Sequence, residues 1–385
     1  MAGGSHSIPT ELAAAAEPDP AFILARPYRT VVARGAGRTF RSPAEAASAM
    51  RSGEVSHIVG ALPFAPGAPV ALWSPESVSV EEAAYGASAA ARPAFEFAAA
   101  LPDPEVHVRR VAEAVRLLRD PAHPIRKVVL ARSIRALAAQ RVRPVEILDR
   151  LVSTDPMGNG FLVDLSAAGG RFAGRHLVGS SPEILVRRDG AEVLSHPLAG
   201  SARRNPEDER ADREIARTLL GSSKDQHEHR YVVDQVSAVL RDRCAEVHTP
   251  APELTSTPEM WHLGTPITAT VRADGPSALE LAAALHPTPA ICGTPTAEAA
   301  RLITELEGDR GFYAGAVGWC DADGNGEWMV SIRCAELAAD GRSLLAHAGG
   351  GIVAESDPAA ELAETTAKFQ RILRPLGISL PVTVA

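Results

Sequence analysis

The chain has 385 residues, 45% hydrophobic and 22% charged, an ordinary globular composition with enough material for a large core. Its 39 basic and 47 acidic residues give a formal net charge of -8, which argues against a general nucleic-acid binder but leaves room for a local basic pocket. Four widely spaced cysteines (Cys244, Cys292, Cys320, Cys334) without a C-x-x-C pair argue against a disulfide framework or a cysteine metal site, so buried reduced thiols are expected.

Residues 1–20 are rich in Ala and Pro and read as a loosely ordered N-terminus. They show no basic region followed by an apolar one, and no apolar run reaches the ~18 residues a membrane span needs, so a soluble cytoplasmic protein is expected. The remainder, 21–385, reads as one domain, with a sheet portion over 21–105 and a catalytic core over 106–385. Short β-like runs follow at Arg29–Ala33 and His57–Ala61, then an Ala/Pro-rich connecting or edge segment over 79–104. Val108, Val111, Val115 and Leu118 recur at helical spacing and predict a helix over 106–119. Strands are predicted at Lys127–Ser133, Phe161–Leu165 and Ile184–Arg187, and a helical stretch over 207–246 broken near Gly221 to Ser223. A hairpin is predicted over 315–337 around the Asp323-Gly-Asn-Gly326 turn, and a closing helix over 358–373. Strands and helices mix without βαβ alternation, which favours α+β with mainly antiparallel sheets covered by helices.

His227-Glu228-His229 looks like a zinc motif, but its histidines sit at i and i+2 and diverge on a helix, whereas a zinc helix needs i and i+4. The acidic oxygens left, together with Glu361-Leu-Ala-Glu364, suit a hard cation such as Mg²⁺. Glu228 belongs at or beside its helix's buried stripe, where it needs a partner; a salt bridge to an Arg is the plain alternative. Glu361, Glu364 and Lys368 share one helix face, which in most proteins is a solvated charged stripe. Gly349-Gly-Gly351 is either a turn or a backbone cradle for a carboxylate. Arg333 shares a face with Glu327, Met329 and Ser331 on the predicted hairpin, away from its more apolar side, either as a surface residue or as a bidentate grip on a carboxylate. Lys127 lies in an apolar strand; it either snorkels to water or, if buried, becomes a candidate base.

A set of segments in fixed order gives these residues more weight. They are Lys127-Val-Val-Leu-Ala-Arg132, Gly179-Ser-Ser-Pro-Glu183, Pro197-Leu-Ala-Gly-Ser-Ala-Arg-Arg204, Lys224-Asp-Gln-His-Glu-His229, Trp261-His-Leu263, Leu285-His-Pro-Thr-Pro-Ala290, Val317-Gly-Trp-Cys320, Gly324-Asn-Gly-Glu-Trp328 and Ser331-Ile-Arg-Cys-Ala335, with the glycine triplet and Glu361-x-x-Glu364. In these the chain resembles the chorismate-utilising enzymes, and among them the isochorismate synthases. The resemblance covers about residues 120–373, with weaker likeness in Pro27-Tyr-Arg29 and Gly60-Ala-Leu-Pro-Phe64.

The resemblance implies two large, mainly antiparallel β-sheets packed face to face and flanked by helices. It implies Mg²⁺ as cofactor, held by Glu228 and Glu364 with Glu361 nearby, Lys127 as general base on water and Glu183 as general acid. Arg333, Lys368 and the backbone of Gly349, Gly350 and Gly351 would bind the carboxylates of the small-molecule substrate chorismate. His262, Ala290 and Tyr313 would line its pocket, and Gly200 and Ser201 the metal end. Relatives that use ammonia or eliminate pyruvate usually carry Thr at the place of Ala290 and often Lys at that of Thr296. Lys127, Ala290 and Trp319 therefore favour isochorismate synthase over salicylate synthase or an ammonia-fed anthranilate or aminodeoxychorismate synthase, and no obligate glutaminase subunit is expected. Cys292 and Gly350 replace the family's common Ser and Ala with residues of similar size.

Overall fold

A computed structural model describes residues 19–88 and 93–381; the loosely ordered N-terminus expected over 1–20 falls almost wholly outside them. The described chain builds two large sheets and one small one, and every described strand pair is antiparallel. This is the α+β architecture expected, plus a three-stranded sheet that the sequence reading did not anticipate.

Near one end of the ten-stranded sheet two long partners, Lys127–Ala138 and Ser343–Ile352, run side by side through ten paired residues. Beyond them lie Cys334–Leu337, His176–Gly179, Gly160–Asp164 and the N-terminal strands Phe22–Ala25 and Thr30–Arg34, with Ser77–Glu81 at the edge. The nine-stranded sheet holds Ile184–Asp189, Gly326–Val330, Ala316–Asp321 and His57–Leu62 at its middle. The small sheet joins Leu198–Arg203, Met260–Gly264 and Glu253–Ser256.

The ten-stranded sheet is buried on both faces, and the period-two alternation of side chains sorts its residues between two cores. Phe22, Leu24, Phe161 and Leu177 pack with Trp73, Trp319 and Val186 of the other sheet and with the helices Ser223–Arg243 and Ala278–Leu285. Their chain neighbours Ile23, Leu162 and Val178 pack on the opposite face, with the helices Pro144–Ser153 and Pro358–Leu376.

Three readings need correction. Within 79–104, of the connecting or edge segment expected, Phe95–Leu101 is a strand on Lys127–Ala138, with a register shift between Phe97 and Ala99; its alanine-rich sequence has weak β-propensity, and the pairing comes from its long neighbour. The hairpin over 315–337 ends at Val330. Ser331 to Arg333 then crosses between sheets, and Cys334–Leu337 joins the ten-stranded one. Arg333 takes a left-handed conformation there (φ 51°), so strand alternation does not govern its direction. The glycine triplet is not a turn; it is the end of the strand Ser343–Ile352.

A second crossing runs the other way. Residues 180–183 carry the chain from His176–Gly179 in the ten-stranded sheet to Ile184–Asp189 in the nine-stranded one. The two crossings are stitched together: the Ser180 N–H donates to the Arg333 carbonyl at 3.0 Å, and the Val330 N–H donates to the Glu183 carbonyl at 3.1 Å. Glu183 and Arg333 are thereby brought to one place by backbone hydrogen bonds.

Candidate active site

A cleft opens where the two crossings meet the long strand pair, the small sheet and the C-terminal helix. Glu183, Gly200, Ser201, Glu228, His262, Ala290, Tyr313, Arg333, Gly349, Gly351, Glu364 and Lys368 line it. Three expected residues lie just behind the wall. Lys127 is fully buried, with its ammonium 3.0 Å from Glu228 Oε1. Glu361 is buried, and Gly350 turns to the opposite face of its strand, toward Glu361 and Glu364. Thr296 and Trp319 stand away from the cleft: the Thr296 hydroxyl donates to Gln235 at 2.9 Å, and Trp319 packs in the core between the sheets.

Glu228 reaches the cleft from the first turns of the helix Ser223–Arg243, with Val232 and Val236 continuing its buried side. The close fit of Lys127 and Glu228 requires a missing side chain opposite them. A Cβ on Gly351 would stand 2.4 Å from Glu228 Oε1 and 3.1 Å from Lys127 Cε, so only glycine leaves room for the pair. The two neighbouring histidines of the sequence motif are not metal ligands. His227 is exposed against Tyr231; His229 is buried, with its ring nitrogens on the Ala199 carbonyl (3.1 Å) and the Thr265 hydroxyl (2.7 Å). His229 thus fixes the backbone next to Gly200, whose left-handed φ of 78° turns the chain past the cleft.

The C-terminal helix supplies the second charged pair. Lys368 lies 2.6 Å from Glu364 Oε1 and also donates to the Gly349 carbonyl at 3.0 Å; the Ser201 hydroxyl donates to Glu364 at 3.2 Å. The Gly349 carbonyl faces the cleft because antiparallel pairing turns alternate residues outward. Past Ala346 the strand Cys334–Leu337 no longer covers that side. The peptide groups of Gly349 and Gly351 therefore offer two outward N–H donors, rather than three consecutive ones.

Burial sets the electrostatics. It pushes the Glu183 carboxyl up to about 7, against the opposing pull of the Leu198 N–H and of Lys127, Arg333 and Lys368. Burial likewise raises Glu361 to about 7, helped by the negative charge of Glu364. For Glu364 burial is outweighed by Lys368 and its hydrogen bonds, and its carboxyl lies below the usual range. His262 is held neutral by burial and by the nearby Arg333 and Lys368; its Nε2 lies 3.5 Å from Arg333 Nη2. Arg333 Nη1 and Glu361 Oε2 are buried without a hydrogen-bond partner in the structure. Among the described residues no group of three His, Cys, Asp or Glu side chains forms a ready cation cage.

Several lining residues escaped the sequence reading. Lys224 lies at i-4 from Glu228 on the same helix, a spacing that would have placed it on the same face. His347 stacks on Tyr313 with ring centroids 4.8 Å apart and holds the Ser133 hydroxyl at 2.8 Å. No local pattern announces that contact, because Tyr313 and His347 lie on separate elements.

Comparison with known proteins places this chain and its fold in one class. Residues 75–377 match the chorismate binding enzyme family, and the chain belongs to that family. It is 47% identical over 362 residues to a provisionally named isochorismate synthase, MenF, of Mycobacterium tuberculosis, covering 94% of this chain and 97% of that one. It is 38% identical over 387 residues to isochorismate synthase DhbC of Bacillus subtilis, covering 93% and 94% of the two chains. The solved structure of menaquinone-specific MenF from Escherichia coli superposes with a TM-score of 0.78 over 94% of this chain and 89% of that one; at 22% identity it shows the shared fold. No helix among the described residues is long and apolar enough to cross a membrane.

The raised carboxyl of Glu183 has a sign that can be measured. Its native pKa lies above the ordinary value of 4.5, so between about 4.5 and 7 the folded state binds more protons than the unfolded state. Its contribution to stability is then lost as pH rises through that window. Glu183→Gln should stabilise the protein at pH 8, in divalent-free buffer, by on the order of 3 kcal/mol relative to wild type, and by almost nothing at pH 4. Denaturant melts at the two pH values read the difference; an equal effect at both would show that Glu183 is not held protonated.

Proposed function

We propose that this chain is an isochorismate synthase that converts chorismate reversibly to isochorismate with Mg²⁺ as cofactor. The observation that carries the reading is the buried amine of Lys127 and the buried, proton-retaining carboxyl of Glu183 in one site, close enough for Lys127 to act on the Glu183 charge. Water adds at C2 of the ring, the double bonds shift, and the C4 hydroxyl leaves. In its neutral amine form Lys127 takes the proton from the incoming water, and Glu183 gives its proton to the departing hydroxyl, which a carboxyl with a pKa near 7 can still do at neutral pH.

The remaining groups suit a dicarboxylate. Arg333, with one guanidinium nitrogen unpaired, faces the cleft beside neutral His262 and can grip one carboxylate. The outward N–H groups of Gly349 and Gly351 and the Lys368 ammonium can hold a carboxylate as well. Ala290 and Tyr313 shape the wall around the ring.

The donor set fits Mg²⁺. Glu228 and Glu364 present oxygens into the cleft, and Glu361 Oε2 behind them is a buried acceptor with no partner. Two carboxylates without a cage suit an ion that keeps several waters. Bound there, Mg²⁺ supplies a positive charge that neutralises and orients the ring carboxylate. Lys127 and Lys368 hold Glu228 and Glu364 in position, so both carboxylates are preformed rather than recruited.

Incubation of the protein with chorismate and Mg²⁺, with products separated by chromatography, tests the reading. Isochorismate alone is expected; salicylate with pyruvate, or an amino product appearing only with ammonia, would assign a different branch of the family. Lys127→Ala should lower turnover by about 10²-fold or more while leaving Mg²⁺-dependent chorismate binding in place. Near-wild-type turnover in that variant would remove Lys127 from the mechanism. Glu228→Ala should move the Mg²⁺ saturation midpoint to concentrations at least about tenfold higher, and an unchanged titration would reject Glu228 as a ligand.

A further inference from the structure

Arg371 lies on the stripe of the C-terminal helix that carries Glu361, Glu364 and Lys368, one turn beyond Lys368, yet it touches none of the cleft. It is buried and pairs with Asp155 at 2.8 Å, with both side chains no more than 6% exposed. It also donates to the Ser180 hydroxyl at 3.2 Å, and that hydroxyl donates to Asp155 at 2.9 Å. Asp155 additionally accepts from the Met157 and Asn159 N–H groups, which fixes its carboxylate in the turn after Pro144–Ser153. Ser180 opens the crossing that ends in Glu183, and its N–H holds the Arg333 carbonyl. Three parts of the site therefore meet at one closed triangle of side chains: the segment with Glu183, the backbone of Arg333, and the helix with Glu364 and Lys368.

We infer that Arg371, through Asp155 and Ser180, is a positioning residue that sets the register of the C-terminal helix against the two sheet crossings. Stability alone does not explain the triangle. A buried ion pair gives up the hydration of both charges, and apolar side chains of similar volume are often as stable or more so. What an ion pair adds over an apolar contact is direction, which matters where a 1 Å shift of Lys368 or Glu364 would misplace the groups around the substrate.

The activity readout rests on the isochorismate synthase reading, and wild-type turnover is its separate control. Arg371→Met keeps length and packing and removes the charge; Arg371→Lys keeps the charge. In the folded protein, Arg371→Met should lower kcat about tenfold or more and raise the Mg²⁺ saturation midpoint several-fold. Arg371→Lys should recover part of both, and adding Asp155→Asn to Arg371→Met should cost little more, since the triangle is already broken. If Arg371→Met does not fold, Asp155→Asn alone carries the same expectation. Hydrogen exchange reads the triangle without substrate: protection should fall together in residues 179–183 and 358–376. Wild-type kcat and Mg²⁺ dependence in the folded variants, or a loss of protection confined to the helix, would overturn the inference. Absence of isochorismate from wild type would strike the functional reading instead, leaving the exchange result to decide on Arg371.

Discussion

A lysine amino group held entirely out of water is the constraint around which this site is built. Lys127 has no exposed surface, and its amino group is held there by Glu228 3.0 Å away. That contact dictates its surroundings. Glu228 must come from the start of a helix packed by Val232 and Val236, and the facing strand must present Gly351, because a single methyl group would occupy the space of the carboxylate. The same logic recurs at Glu364 and Lys368 on the C-terminal helix. The cleft thus holds two such contacts, one joining the strand of Lys127 to the helix of Glu228 and the other joining residues one turn apart on the C-terminal helix, and these pairings fix much of its geometry.

The fold makes this pairing possible by crossing between its sheets twice at one point. A strand leaves the ten-stranded sheet through 180–183, another returns through 331–333, and backbone hydrogen bonds join the two. Crossings free a residue from the strict up-and-down alternation of a strand. Arg333, in its left-handed conformation, and Glu183, at the end of its segment, point into the cleft for that reason. Burial then raises the Glu183 carboxyl while neighbouring cations hold Glu364 low, so two glutamates of one site are set for different tasks by their surroundings.

Much of this was legible in the sequence, and the limits were physical. The long helices and apolar strands carried their own periodicity, and the break at Gly221 to Ser223 fell between the helices Glu209–Gly221 and Ser223–Arg243. The placement of Glu228 on a buried helix side followed from its spacing to the valines. Pattern alone left Arg333 evenly poised between surface and site and favoured the surface for Lys127, and the resemblance to chorismate-utilising enzymes gave them their proposed roles. Strand alternation misdirected Arg333, because a change of sheet leaves no local periodic mark. Phe95–Leu101 was missed because its pairing depends on a partner more than 30 residues away. The triangle of Asp155, Ser180 and Arg371 joins three segments that no spacing rule connects.

In the proposed reaction Lys127 and Glu183 act on opposite events, water entering at C2 and hydroxyl leaving from C4. Turnover of chorismate in ¹⁸O-enriched water, followed by mass spectrometry of the product, tests it most directly. The account predicts one solvent oxygen in every isochorismate formed, carried at C2. Isochorismate that keeps its original hydroxyl oxygen, with no solvent label, would contradict it.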